Sequence, residues 1–266
     1  MLIIGEALNA SIDTVHQAIL ARDEGFVARL AREQVEAGAN MLDVNAGVKM
    51  GDEYEALAWL IHTTQNAVEV PLVLDSGNPE VLIANFDKHK GRPMLNSISG
   101  EPDKLKILLP FIVEHDCSVI GLCVGEKGVP KKAEEKFEIA RMLIQQTGKV
   151  GLKLEDLYLD PGLLAVAADS TSVQSTISAI QLIKEYEPRV NILCATSNVS
   201  FGLPRRKLIN RTVIPMLMAA GANAFIMDVR DRAAMTAIVT SETLLGGDRY
   251  CTNYTRAYRE GRLSVQ

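Results

Sequence analysis

Short runs rich in valine, isoleucine and leucine alternate with longer amphipathic stretches along the whole chain, and each short run is too brief to be a helix. The runs occupy 2–6, 41–45, 71–76, 94–97, 118–124, 157–160, 191–198 and 224–228. Helical patterns follow them: one stretch ending near Gly38, then 52–68, one opened by Asn78-Pro79, 102–115, 133–148, one capped near Ser170, 208–220 and 232–245. Asn78-Pro79 sets a capping side chain before a proline at the first helical position, a common way to start a helix. Eight strand–helix units in 266 residues come to about 33 residues each, the size of one βαβ repeat.

Such alternation demands a parallel sheet with helices outside, and an eightfold count closes it into a single (β/α)8 TIM barrel of the α/β class over 1–266. An open doubly wound sheet would want a glycine-rich phosphate turn after the first strand. Gly5-Glu6-Ala7-Leu8-Asn9 is not one. Charge excludes other classes. Lys and Arg number 28 against 33 Asp and Glu, a net −5 spread along the chain, which gives no reason to expect nucleic-acid or membrane-surface binding. No apolar stretch approaches a membrane span and the N-terminus lacks a basic leader, so a cytoplasmic protein is expected. Cys117, Cys123, Cys194 and Cys251 stand singly, three within apolar runs, and read as small core residues. His16, His62, His89 and His115 all fall in stretches that read as helices.

In a barrel of this kind chemistry is written at the C-terminal ends of the strands. Read in order, those ends carry Glu6 and Asn9, Asp43 and Asn45, Asp75 and Ser76, Asn96, Asp160, then Ser197, Asn198 and Ser200, and finally Asp228. Any one of these is ordinary turn chemistry; a ring of them converging on one mouth is not. Carboxylates and amides without a lysine or histidine make a hydrogen-bonding cage for a flat ligand rich in donors and acceptors. A cluster of acids also suits Mg²⁺, but several members are amides and no bound metal is expected.

At these residues the chain resembles the pterin-binding methyltransferases, namely the methyltetrahydrofolate:corrinoid protein methyltransferases and the folate-binding module of cobalamin-dependent methionine synthase. Met1-Leu2-Ile3-Ile4-Gly5-Glu6, Leu42-Asp43-Val44-Asn45, Leu74-Asp75-Ser76, Leu95-Asn96-Ser97, Tyr158-Leu159-Asp160-Pro161, Ser197-Asn198-Val199-Ser200 and Leu208-Ile209-Asn210-Arg211-Thr212 follow the family's motifs in order. The resemblance implies one-carbon chemistry: a methyl group moved, in either direction, between N5 of tetrahydrofolate and the cobalt of a corrinoid. By position it implies that Asp160 accepts paired hydrogen bonds from the pterin's N3–H and 2-amino group, that Asp75 and Asn96 take the remaining heteroatom edge, and that Asp43 and Asn45 line the same cavity. Glu6 and Ser197 join that lining, Arg206 lies over the ligand, and Asn198 serves the reacting nitrogen. The amide cannot supply a proton; it stabilises the N5–H.

The chain departs from better-known members after Ser200, where a polar residue, often glutamine, is replaced by Phe201 and then Gly202-Leu203-Pro204-Arg205-Arg206. Two alternatives stand beside methyl transfer. A dihydropteroate synthase-like enzyme would want a lysine at a strand end, which this chain lacks, and a catalytically silent folate-binding or corrinoid-docking subunit would keep the ring without turnover. A homodimer is implied by the resemblance. Eight units consume the length, so the corrinoid is expected to arrive on a separate protein.

Overall fold

A computed structural model of the chain describes residues 1–47 and 52–264. Eight parallel strands, β1 (Leu2–Asn9), β2 (Met41–Asn45), β3 (Leu72–Asp75), β4 (Met94–Ser99), β5 (Ser118–Leu122), β6 (Leu157–Asp160), β7 (Asn191–Ala195) and β8 (Ala224–Met227), pair in sequence order, and β8 pairs back to β1. The barrel is closed, as the alternation requires. The helices are α1 (Asp13–Ala21), α2 (Glu24–Glu36), α3 (Glu53–Ala67), α4 (Pro79–Phe86), α5 (Pro102–Glu114), α6 (Ala133–Lys149), α7 (Ser172–Tyr186), α8 (Arg206–Ala220), α9 (Arg232–Leu244) and α10 (Thr252–Arg259). No helix of the described residues is long and apolar enough to cross a membrane.

Side chains at the helix starts explain several boundaries. Asp23, Asp52, Asn78 and Asp231 accept backbone N–H bonds at the starts of α2, α3, α4 and α9, satisfying donors that a helix leaves orphaned. Asp23 also corrects the expectation of one helix before Gly38. It begins a new helix after Arg22, whose backbone turns left-handed at φ 53°, so the stretch breaks into α1 and α2. Two histidines likewise leave the helices. His115 ends α5, while His89 lies in the turn after α4, buried, with Nε2 accepting the Leu72 N–H at 3.0 Å. Burial pushes the His89 pKa down, consistent with that neutral acceptor role. Cys117, Cys123 and Cys194 are buried and Cys251 is exposed.

Alternation along the strands sorts the side chains. Leu42, Leu72, Leu74, Leu95, Val119 and Ile192 face outward into the layer under the helices. Ile4, Met41, Val73, Met94, Ile120, Leu193, Ala224 and Ile226 face the axis and form a separate apolar plug inside the barrel. The next inward position on each strand lies two residues on, about 6.6 Å along the strand. That step decides what stands at the mouth.

Candidate active site

Two residues beyond the plug, the inward positions become Glu6 after Ile4, Asp43 after Met41, Asp75 after Val73, Asn96 after Met94 and Asp228 after Ile226. These residues line one open cavity of about 760 Å³. β-Bulges finish two of the strands. β1 gains a residue against β2 between Gly5 and Leu8, and β4 gains one against β5 between Asn96 and Ile98. Bulges of this kind re-aim side chains at barrel rims. In β1 the displaced Ala7 N–H is satisfied by Gln34 Oε1 at 2.9 Å, so the distortion that carries Glu6 and Asn9 to the mouth is anchored from α2.

The sequence run expected to continue β7 to Asn198 instead stops at Ala195 and coils into a short 3-10 turn, Thr196–Ser200. Small polar residues there favour a turn over a continued ladder. The turn is held by Arg206, whose Nη2 donates to the Ser197 carbonyl at 2.7 Å and whose Nε donates to Ser200 Oγ at 3.1 Å. Ser197 Oγ donates to Glu6 across the barrel closure. The turn presents Asn198 to the cavity, exposed, with no protein hydrogen bond to its carboxamide among the described residues.

The other ring amides are engaged. Asn45 Nδ2 donates to Asp75 Oδ2 at 2.9 Å, and Asn96 Nδ2 donates to Asp43 Oδ1 at 3.3 Å. Both donors favour ionised carboxylates, but burial works harder the other way. Asp43 is pushed well above the usual carboxylate range by burial and then by the Asp75 charge; Asp75 rises to about 6 by burial, with Glu53 adding to it. Glu6 is raised by burial against the opposing Ser197 hydroxyl. Asp160 also rises to about 6 by burial, with the Gly162 N–H, Lys136 and a backbone bond from Ala195 opposing. Burial thus disfavours the ionised form of each of these carboxyls.

Glu6, Asp43, Asp75, Asn96, Ser197, Asn198 and Arg206 all line the cavity; Asn45 and Asp160 do not. Asn45 stands behind Asp75 as its hydrogen-bond donor. Asp160, only 6 % exposed, ends β6 with Oδ1 taking the Gly162 N–H at 2.8 Å. Phe201 is 69 % exposed at the rim, with the Arg206 guanidinium 5.9 Å from its ring. Lys207, Asn210 and Asp231 extend the lining beyond what the strand ends suggested, because α8 and α9 overhang the mouth; Asn210 Oδ1 there is buried without a partner. Lys136 was also not anticipated. It is the one charged member of a buried, mostly apolar stripe on α6 (Ala133, Lys136, Ala140, Leu143, Ile144, Thr147), and that helical spacing is the signal that could have flagged it. Among the described residues no three His, Cys, Asp or Glu side chains are placed to share a metal ion.

The family described as pterin binding enzyme matches residues 5–250 of this chain. The chain belongs to that family. A methylcorrinoid:tetrahydrofolate methyltransferase of Eubacterium limosum is 37 % identical over 265 residues, covering 99 % of this chain and 98 % of that protein. A methionine synthase of Mycobacterium tuberculosis is 27 % identical over 240 residues, and the match spans only 20 % of its length. Among solved structures, a dihydropteroate synthase of Xanthomonas albilineans with 4-aminobenzoic acid superposes with a TM-score of 0.68 at 19 % identity, covering 94 % of this chain and 93 % of that one. At that identity the likeness shows a common barrel and nothing about chemistry.

Proposed function

We propose that this member of the pterin binding enzymes moves a methyl group between N5 of tetrahydrofolate and the cobalt of a corrinoid, in the sense methylcorrinoid to tetrahydrofolate. The sense follows the relative from Eubacterium limosum, with which nearly the whole chain aligns. The observation that carries the chemistry is the unengaged Asn198 carboxamide standing exposed in a cavity where the Asn96 amide is already bonded to the Asp43 carboxylate.

The donor set fits the ligand. A pterin ring is flat and carries donors and acceptors around its edge, so it suits several convergent carboxyl and amide groups more than one charge. In this reading Asp160 takes the guanidinium-like pair of N–H donors, Asp75 and Asn96 take the remaining edge, and Asp43, Asn45, Glu6 and Ser197 set their charge and orientation. Asn198 Oδ1 accepts the N5–H, stabilising the positive charge that grows on nitrogen as the methyl arrives; the proton then leaves to solvent. Run backwards, the same contact stabilises N5–H before the methyl departs. The corrinoid supplies the methyl and accepts the electron pair of the broken cobalt–carbon bond, and in this reading it comes on a partner protein through the open mouth. The protein forms a homodimer in the same reading, as the family resemblance implies.

The test is anaerobic mixing of the protein with methylcobalamin and tetrahydrofolate, followed by visible absorbance, with 5-methyltetrahydrofolate and cob(I)alamin as the reverse arm. Enzyme-dependent conversion of methylcobalamin to cob(I)alamin is expected. Folate binding with no spectral change in either arm would sink the reading in favour of a silent binding subunit.

A further inference from the structure

Lys136 is 0 % exposed, the largest fully buried side chain of the described residues, and no carboxylate lies within ion-pair distance of it among them. Buried ammonium groups are rare and ordinarily paired with an acid, because an uncompensated charge is costly to desolvate. This one is satisfied by neutral oxygens. Its Nζ donates to the Pro161 carbonyl at 2.9 Å, to the Gly162 carbonyl, and to Thr176 Oγ1 at 3.3 Å. Two of those acceptors belong to the turn that follows Asp160.

The covalent arrangement matters. The Pro161 carbonyl and the Gly162 N–H are the two ends of one peptide group. Lys136 binds its oxygen, and its N–H donates to Asp160 Oδ1 at 2.8 Å. Hydrogen bonds in such a chain polarise one another, so the ammonium strengthens the donor that aims the carboxylate. The turn is also constrained. Gly162 has φ +74°, and a Cβ there would meet Val129 Cγ1 at 2.7 Å, so the peptide has little freedom to swing away. A second bond fixes the backbone of Asp160 itself, whose carbonyl accepts the Cys123 N–H at 2.8 Å.

We propose that Lys136 is a positioning residue for pterin binding, acting through the Pro161–Gly162 peptide to fix the Asp160 carboxylate as a paired acceptor for the ligand's N–H edge. The ligand's identity rests on the methyl-transfer reading above; the link between Lys136 and Asp160 does not. Lys136 opposes the burial that raises the Asp160 pKa, and Asp160 opposes the burial that lowers that of Lys136. The other titratable groups facing this pair are Cys123 after β5, Cys194 on β7 and Asp169 before α7. Burial raises both thiols, and hydrogen bonds from Thr171 lower Asp169, so none of the three titrates near neutral pH. Glu6, Asp43 and Asp75 are raised by burial as well, and assignment tells them apart from Asp160.

Carboxyl-¹³C-labelled aspartate, titrated by NMR in the free protein and assigned with Asp160→Asn, reads the coupling directly. The Asp160 midpoint is expected near about 6. Lys136→Met is expected to raise it by about one pH unit or more, and Lys136→Gln, which keeps a donor without the charge, by less. Tetrahydrofolate affinity, titrated calorimetrically at pH 7, is expected to fall about tenfold in Lys136→Met, with KM moving more than kcat. An unshifted Asp160 midpoint and unchanged affinity in either folded variant would overturn the proposal. Wild-type protein that binds no folate would instead overturn the functional reading, and the NMR shift would still decide the coupling. If neither variant folds, the unsubstituted protein decides. A slowly exchanging Lys136 ammonium signal by ¹⁵N NMR that responds to Asp160→Asn supports the link, and a rapidly exchanging, unresponsive one contradicts it.

Discussion

The lower and upper halves of the barrel interior are built on the same strands, one inward step apart on β1 to β4, and they obey opposite rules. Below, Ile4, Met41, Val73, Met94, Ile120, Leu193, Ala224 and Ile226 close the axis with apolar packing. Above, Glu6, Asp43, Asp75 and Asn96 crowd acids and amides into a cavity where burial opposes their ionisation. The plug contributes stability and the upper layer costs some of it. The difference shows where the fold ends and the site begins, and the period of two that sorts in from out makes the change abrupt.

The sharpest way to break the comparison is to move the upper layer's chemistry down one step. Ile120→Asp places an unpaired carboxylate in the plug, and a loss of several kcal/mol is expected, read as loss of the cooperative urea transition. A stable Ile120→Asp protein would mean that the plug is wet and the two layers are not distinct.

The cost of the upper layer is visible through pH. Burial raises Asp160 from the ordinary carboxylate value of 3.8 to about 6 in the folded state, so the folded protein holds the extra proton between those values. Its contribution to stability is fully present below about 3.8 and is lost as pH rises through about 6, at most about 3 kcal/mol for a two-unit difference. Urea unfolding at pH 5 and pH 7.5 is expected to show part of that drop in the wild type and less of it in Asp160→Asn. Equal drops in both proteins would remove Asp160 from the account. Asp231, held low by Arg211 against its own burial, has the opposite dependence and loses stability as pH falls, which is why the difference between the two proteins is the informative quantity.

The smallest effect belongs to the rim. Phe201 is largely exposed, so Phe201→Ala is expected to leave stability unchanged and to shift tetrahydrofolate affinity by less than about threefold. A tenfold loss would show that its ring stacks on the ligand.

Much of this architecture was legible because two periodicities are strong. β2 and β6 begin and end where their runs do, closing on Asn45 and Asp160. The ring was legible for the same reason. What escaped depends on contacts distant in sequence. β1 runs on to Asn9 because Gln34 accepts the amide freed by the bulge, and nothing near Gly5 announces that. The break between α1 and α2 turns on one capping aspartate. Lys136 lies 24 positions before Asp160 and meets its turn only because α6 packs against β5 and α7. His89 left its expected helix to accept a strand N–H.

In the proposed reaction the ring binds folate and Asn198 assists the transfer. Single-turnover methyl transfer from methylcobalamin to saturating tetrahydrofolate, measured with Asn198→Ala beside Asp75→Asn, separates the two. Asn198→Ala is expected to slow the chemical step about 100-fold with folate affinity within about threefold of wild type. Asp75→Asn is expected to weaken folate binding and leave the saturated rate closer to wild type. An Asn198→Ala protein that transfers methyl at the wild-type rate would contradict the account.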